Sequence, residues 1–398
     1  MSGLRLGDFF TNRQEPGRPG LPVMSVTMND GLLPRDDMER RMDSALRPNQ
    51  HLLVRKGDIA YNMMRMWQGA CGLAEADGIV SPAYVVLAPK PGIDSRFAYQ
   101  WFKSQRMIHL FWAYSHGLTE DRLRLYFEEF AEIPATPPTF EEQRRIVVVL
   151  ETWDRAIAET ERLITAKRRR KRSLLQKLFR NQPKQRFLDA ADVWFSGVDK
   201  KSKAGETSIR LCNYVDVFRN ARITAELDFM PATATASEIA ANKLRAGDVV
   251  FTKDSETMEE IAEPSLVAED IDGLVCGYHL AIARPRDGIG YGPFIAQAMR
   301  HSEMRWQFSR LANGVVRFGL TLEAIEQAEI FLPSLPWQER IATVLDAEDI
   351  AMETLAKRAE ALRTQKRGLM QKLLTGEWRL DARFDPRIAN QTILPETV

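Results

Sequence analysis

Cysteine is scarce in this 398-residue sequence, and several other features are missing with it. The three cysteines, Cys71, Cys212 and Cys276, are far apart and odd in number, so neither a disulfide framework nor a CxxC metal site can be assembled. No run of about 18 apolar residues occurs, which excludes a transmembrane helix. The N-terminus, MSGLRLGDFF, lacks the pattern of a secretory signal peptide. Together these absences predict a soluble, cytoplasmic protein with no membrane partner.

Motifs for catalysis are missing as well. The sequence contains no Asn/Asp-Pro-Pro-aromatic tetrad, no glycine-rich loop after a strand that would hold S-adenosylmethionine, and no P-loop. The five histidines are scattered, and no two have the i, i+4 spacing of a metal site. Acidic pairs such as Glu128-Glu129 have no lysine at nuclease spacing, so solvated surface is the simpler interpretation. We therefore expect no catalytic residue and no metal site.

Charge is nearly balanced over the whole chain, at +1, but it is unevenly distributed. Residues 138–184 carry 13 basic and 6 acidic side chains, whereas residues 185–332 carry 16 basic and 22 acidic ones. The run from Lys167 to Arg172 is basic without a break. Such a run indicates either a patch that contacts phosphates or a solvated face of a long helix, and the sequence leaves both open.

An internal repeat is the strongest positive feature of the sequence. The segment from Pro138 to Phe179 returns without a gap at Pro333 to Leu374, which is 195 residues later. Gln143 then corresponds to Gln338, and KRSLLQKLF corresponds to KRGLMQKLL. The chain is therefore organised as block, helix, block, helix.

Each copy of the repeat has apolar residues at alternating spacings of four and three, which is typical of a helix with a coiled-coil seam. About 40 residues at 1.5 Å per residue give a rod of roughly 60 Å. The alternative is a pair of ordinary amphipathic core helices. The predicted seam residues are Ile146, Leu150, Trp153, Ile157, Lys171 and Leu174 in the first copy, and Ile341, Leu345, Glu348, Met352, Lys366 and Leu369 in the second.

The charged seam residues predict the direction of packing. In a parallel pair Lys171 would face Lys366, and burying two like charges together is costly. In an antiparallel pair Lys171 faces Glu348, and Lys366 faces the indole ring of Trp153, which favours a cation. We therefore expect an antiparallel coiled coil.

The block before each helix has a mixed α/β texture. VRKGDIAYNMM and LRAGDVVFTKD each predict a Gly-Asp turn followed by a strand, and GIVSPAYVVLAP and GLVCGYHLAIARP predict further strands. FAYQWFKS and FIAQAMRH then predict helices. Two α/β domains of about 140 residues are the economical interpretation.

With these phrases in this order, the sequence resembles the specificity subunit of type I restriction-modification systems. The resemblance covers nearly the whole chain and depends on PTFEEQRRIVVVLETWDRAI, PSLPWQERIATVLDAEDIAM, GDIAYNMMRMWQGACG and GDVVFTKDSET. It implies a non-catalytic subunit for phage defence, with each of two target recognition domains binding one half of a split site in double-stranded DNA. It also implies methyltransferase subunits docked on the helices and restriction/translocase subunits joined to that core. S-adenosylmethionine, ATP and Mg are then expected on those partner subunits, and no cofactor on this chain.

The resulting fold class is α+β, with a pseudo-twofold internal repeat of two mixed α/β recognition domains separated by two long antiparallel helices. The predicted layout is a first recognition domain at 1–137, a central long helix at 138–184, a second recognition domain at 185–332, a C-terminal long helix at 333–378 and a tail at 379–398.

Candidate DNA-binding residues follow the Gly-Asp turns, because base recognition in the major groove favours Arg or Lys for guanine and Asn or Gln for adenine. The alternative is that the neighbouring Met and Trp side chains are core and the polar ones simply face water. Arg122 and Arg317 each follow a glycine-containing loop and are expected to open a helix, which suits phosphate contact. The candidates for base contact are Asn62, Arg65 and Gln68 in the first domain and Lys253, Ser255 and Thr257 in the second.

Two other functions remain as alternatives. A coiled-coil structural adaptor of a DNA-modifying complex would keep the helices but not recognise sequence. A nuclease or methyltransferase acting alone would need catalytic residues that the sequence lacks.

Overall fold

The chain folds into two compact units that divide both long helices between them. A computed structural model describes residues 3–28, 30–38, 46–381 and 384. The first unit comprises the residues up to Glu161 together with those from Lys357 onward, and the second comprises Arg162–Ala356. Each unit therefore contains one α/β block and half of each long helix.

The first unit is built on a sheet with the strand order β1-β8-β5-β6, flanked by the pairs β2-β3 and β4-β7. Its core is rich in aromatic residues, because Phe10, Tyr61, Phe102 and Phe130 are fully buried and in ring contact with one another. The strands are β1 (Phe10–Asn12), β2 (Met24–Val26), β3 (Leu32–Pro34), β4 (Leu52–Val54), β5 (Ile59–Asn62), β6 (Cys71–Leu73), β7 (Gly78–Val80) and β8 (Tyr84–Pro89). The helices are α1 (Leu6–Phe9), α2 (Ser95–Phe102), α3 (Gln105–Ala113), α4 (Phe127–Glu132) and the first part of α5 (Phe140–Phe179).

The second unit repeats this plan around a sheet with the order β10-β18-β14-β16-β12, with smaller sheets β13-β11-β17, β15-β20-β19 and β21-β9. The strands are β9 (Lys184–Arg186), β10 (Ala191–Phe195), β11 (Thr207–Cys212), β12 (Arg222–Ile223), β13 (Met230–Ala234), β14 (Val249–Thr252), β15 (Asp254–Ser255), β16 (Pro264–Val267), β17 (Leu274–Cys276), β18 (Leu280–Pro285), β19 (Asn313–Gly314), β20 (Phe318–Gly319) and β21 (Glu329–Phe331). The helices are α6 (Phe187–Ala190), α7 (Tyr214–Arg219), α8 (Ala236–Asn242), α9 (Gly292–Met299), α10 (Ser302–Leu311), α11 (Leu322–Glu326) and the first part of α12 (Leu335–Leu374).

These elements confirm the strands and helices predicted from the two blocks. The strands after the Gly-Asp turns are β5 and β14, and the predicted helical segments are α2 and α9. The long helices α5 and α12 begin within a few residues of the prolines that open each repeat and have 40 residues each. The repeat in sequence is thus a repeat in structure.

Within each unit the segments of α5 and α12 run antiparallel. In the first unit Leu373 and Leu374, at the end of α12, share a core with Ile146 and Leu150, near the start of α5. In the second unit the end of α5 packs in the same core as Ile341 and Leu345, near the start of α12. The predicted seam residues are all buried or half-buried: Ile146, Leu150, Trp153, Ile157, Lys171 and Leu174 on α5, and Ile341, Leu345, Glu348, Met352, Lys366 and Leu369 on α12.

The predicted partners of the two seam lysines need correction. Lys171 does not bind Glu348; its ammonium lies 2.6 Å from a carboxylate oxygen of the next residue, Asp349. Glu348 binds Lys167 instead, at 3.1 Å. Lys366 binds Asp154 at 2.7 Å rather than lying over the Trp153 ring. A lysine reaches past the position directly opposite it, and a carboxylate one residue further along satisfies its charge better than a ring does.

The repeated glutamine at the start of each long helix ties that helix to the α/β block of its own unit. Gln143 is fully buried; its amide oxygen accepts from the Asp94 backbone N–H, and its nitrogen donates to the carbonyls of Gly92 and Pro138. Gln338 is equally buried and makes the same three bonds in the second unit, with Tyr291, Ile289 and Pro333. Because every polar atom of these side chains is paired, their burial costs little.

A second glutamine connects each lysine ion pair to the neighbouring α/β block. Gln297 on α9 donates to Asp349 at 2.8 Å and also to Asp346. Gln100 on α2 accepts from Lys366 and donates to Asp154, both at 3.3 Å. Each unit thus has a polar cluster joining α5, α12 and one helix of its α/β block.

Candidate nucleic-acid interface

Each unit positions its candidate segment with the predicted Gly-Asp turn. The two glycines, Gly57 and Gly247, have φ values of 91° and 90°, a left-handed backbone that glycine adopts without strain. The aspartate that follows each glycine is buried and paired with an arginine. The pairs are Asp58 with Arg13 and Asp248 with Arg284, at 2.7 Å in each case.

In the first unit the segment after β5 turns through a short 3-10 helix, Met66–Gln68. Met66 is fully buried, as the alternative interpretation expected, whereas Met64 is 42% exposed. Asn62 is half-buried, and its side-chain oxygen accepts from the backbone N–H of Met64 at 3.0 Å. Arg65 is exposed and donates to Gln68 at 3.3 Å. Arg65 therefore offers the most accessible polar group of this segment.

Arg122 lies beside that segment, although it does not open a helix as expected. It ends the 3-10 helix Glu120–Arg122, on a loop whose strand-like bridge joins His116 and Arg124. A Cβ at Gly117 would lie 2.6 Å from the carbonyl oxygen of Arg122, so this close turn requires glycine. The loop returns next to the candidate segment, where the Leu125 N–H donates to the Met63 carbonyl at 3.0 Å.

In the second unit, more of the polar side chains of the equivalent segment have partners within the unit. The Lys253 ammonium is 2.6 Å from Asp254 and lies over the Phe195 ring at 5.5 Å. Ser255 is buried, and its hydroxyl donates to the carbonyl of Thr257. Thr257 itself is exposed. Of the three predicted residues, Thr257 is the side chain that faces solvent.

Arg317 also lies next to its candidate segment, and it too fails to open a helix. It occupies the turn between β19 and β20, and it is exposed. A Cβ at Gly314 would come within 1.8 Å of the Arg317 carbonyl oxygen. Strand β20 pairs with β15, and the Leu320 N–H donates to the Lys253 carbonyl at 2.8 Å. The local sequences had suggested helix starts, but pairing with distant strands decides the structure here.

The two units therefore hold their candidate segments in the same way. In each, the segment after the Gly-Asp turn is hydrogen-bonded to the far end of a glycine-arginine loop. The bond joins Met63 and Leu125 in one unit and Lys253 and Leu320 in the other, and these leucines are again 195 residues apart. We call the loops 117–122 and 314–317 the tip loops.

A groove of about 280 Å³ adjoins the tip loop of the second unit and is acidic. Burial, together with Glu260 and Glu256, raises the pKa of the Tyr214 hydroxyl. Asp254 is shared between Lys253 and His279, the latter at 2.8 Å. The lining residues are Tyr214, Phe218, Asp254, Ser255, Glu256, Glu260, His279 and Arg317. Lys253 is ion-paired with Asp254, whereas Arg317 is the exposed arginine among the residues that line this groove.

Side chains that could hold a metal ion are not clustered in the described part of the chain. No cluster of three or more His, Cys, Asp or Glu side chains suited to a metal occurs among residues 3–28, 30–38, 46–381 and 384. The three thiols are buried, and burial raises the pKa of Cys71 to about 11. Of the helices described, none has the length and apolar character needed to span a bilayer.

Comparisons with known proteins were made by sequence and by structure. No protein-family model matches the sequence, and no curated protein matches it. A chain in a structure described as the basis of complex assembly and conformational transition of the type I R-M system is 16% identical, with a TM-score of 0.55 over 95% of this chain and 98% of its own. The type I restriction-modification system S subunit from M. genitalium is also 16% identical, with a TM-score of 0.54 over 94% of this chain and 95% of its own.

Proposed function

We propose that this chain, which has the fold of a type I restriction-modification S subunit, is the DNA-recognition subunit of such a system. One observation supports this proposal above the others. A single chain carries the same candidate interface twice, once in each unit, with Arg122 and Arg317 at equivalent places. Two equivalent surfaces of different composition suit a target of two different half-sites.

In this proposal the chain recognises DNA and partner subunits do the chemistry. Methyltransferase subunits dock on the exposed faces of α5 and α12 and carry S-adenosylmethionine. Restriction/translocase subunits carry ATP and Mg. Arg65 and Thr257 are the most accessible of the predicted base-contacting residues, and Arg122 and Arg317 contact phosphates.

A structural adaptor is the second candidate, and the acidic groove favours it. The second block has an excess of acidic residues, and Lys253 forms an ion pair with Asp254. Nonspecific affinity for DNA depends on free cations, and this unit offers few near the groove. Specific recognition, however, can depend on a few convergent side chains, so the acidity lowers nonspecific binding without removing specificity.

The decisive experiment maps N6-methyladenine in DNA from cells that express this chain together with its methyltransferase subunits. We expect methylation at one motif made of two short halves and a nonspecific spacer, and none when this chain is omitted. Methylation at a single contiguous motif would contradict two-part recognition. Methylation at the same sites without this chain would favour the adaptor.

A further inference from the structure

The tip loops expose apolar side chains that nothing in their own unit covers. Val315 and Val316 have 92% and 82% of their surface exposed, and Leu118 has 97% exposed. Each lies between the glycine and the arginine of its loop, although the loop of the first unit is two residues longer than that of the second. Exposed apolar groups at these levels add nothing to the stability of the fold.

We propose that these residues enter a groove of DNA and contact base edges, while the arginine of each loop binds a neighbouring phosphate. This inference rests on the proposed DNA-recognition function and names the element that carries it. Apolar side chains contact the methyl group of thymine in the major groove, and some wedge between base steps in the minor groove. Val315 and Val316 would serve one half-site and Leu118 the other.

The exposed arginine of each tip loop is the first reason to place DNA against these tips. The tip loop of the second unit, with its flanking residues from Asn313 to Gly319, contains Arg317 and no carboxylate, although it adjoins the acidic groove, whereas the tip loop of the first unit contains Glu120 and Asp121 beside Arg122. In the described parts of the chain, neither Arg317 nor Arg122 has a carboxylate at ion-pair distance, whereas Lys253 does. A free guanidinium beside an apolar tip fits a phosphate beside a base.

Continuity with the candidate segments is the second reason. The hydrogen bonds from Leu125 to Met63 and from Leu320 to Lys253 place each tip loop directly beside the predicted base-contacting residues. A loop and a segment in such contact present one surface to one ligand. The tips project from that surface, because their side chains are the most exposed large apolar groups described in either unit.

The small apolar area of the tips is the reason to prefer DNA to a protein as their partner. A stable protein interface needs about 800 Å² from each partner, with an apolar centre. Two valines, or one leucine, on a narrow turn offer a small fraction of that area. A groove about 6 to 12 Å wide accepts such a tip without further apolar surface.

The test compares tip, arginine and control variants in the complete complex with its methyltransferase. The double variant Val315→Ser/Val316→Ser should bind the target duplex about tenfold more weakly and nonspecific duplex within about twofold of the native complex. Arg317→Ala should weaken binding to both duplexes and lower the slope of log affinity against log salt by about one. Ile289→Ser, a control on a turn of the same unit with 46% exposure, should change neither.

The methylated motif supplies the second measurement. Leu118→Ser should relax the sequence requirement in one half of the motif, and the valine variant should relax it in the other half. If the valine variant binds the target as the native complex does and methylates the same motif, the inference is wrong while the proposed function stands. If DNA binding by the isolated chain is intact but the methyltransferase no longer copurifies, the tips are protein-docking elements and the inference is also wrong. If the native complex shows no split motif, the proposed function itself fails.

Discussion

At the scale of single residues, two buried glutamines explain why both copies of the repeat have the same residue near their start. Gln143 and Gln338 each hold two carbonyls and one backbone N–H that would otherwise be unpaired. The sequence revealed both residues through the repeat, but not their role, because the groups from Gly92 and Ile289 lie about 50 residues earlier in the chain. Such partners become visible only when the fold brings them together.

We expect Gln338→Leu to lower the free energy of unfolding by at least about 3 kcal/mol. Each of the three backbone groups left unpaired costs about 1 to 3 kcal/mol when buried. Urea denaturation monitored by circular dichroism measures the change. Gln371→Leu is the matched control, because Gln371 is exposed on the same helix, and it should stay within about 0.5 kcal/mol of the native value. Equal effects of the two substitutions would show that the buried network is unimportant.

At the scale of elements, the antiparallel direction of α5 and α12 within each unit was predictable, but the individual charge partners were not. The direction of packing was predictable because parallel helices would have placed Lys171 opposite Lys366. The partners Asp349 and Asp154 lie one position beyond the residues expected, because side-chain reach decides the contact. The helix starts expected at Arg122 and Arg317 were wrong because these loops form hydrogen bonds with segments distant in sequence, at Met63 and at β15, and such pairing overrides local sequence preference.

The Lys171–Asp349 pair should contribute little net stability, since burial lowers the pKa of Lys171 despite the bond to Asp349. When the pKa of a lysine is lower in the folded than in the unfolded chain, the protonated lysine lowers the free energy of unfolding at neutral pH. This destabilisation decreases as the pH rises through the pKa of the folded chain. We therefore expect Lys171→Met to lower the free energy of unfolding by about 2 to 4 kcal/mol, because it leaves the carboxylate of Asp349 without its ion-pair partner. The double variant Lys171→Met/Asp349→Leu should recover most of this loss. Lys366→Met should cost only about 1 kcal/mol, since Asp154 is 45% exposed. Urea midpoints measure all three, and a double variant as unstable as the single one would contradict this explanation.

At the scale of the whole molecule, the sequence predicted the order of parts because a gapless repeat of 195 residues leaves little freedom in assigning them. The fold is shared with type I S subunits at only 16% identity. The contact residues were harder to predict than the order. Arg65 and Thr257 are exposed and Ser255 is buried. These differences depend on turns that contact the tip loops.

Two-part recognition is tested most directly by replacing residues 185–332 with a second copy of residues 1–137 and mapping methylation by the resulting complex. The cluster with α5 and α12 should survive, since Gln100 takes the place of Gln297. We expect the half of the motif recognised by the first domain to remain and the other half to become its inverted copy. A motif unchanged by the replacement, or one altered in both halves, would contradict recognition of one half-site by each domain.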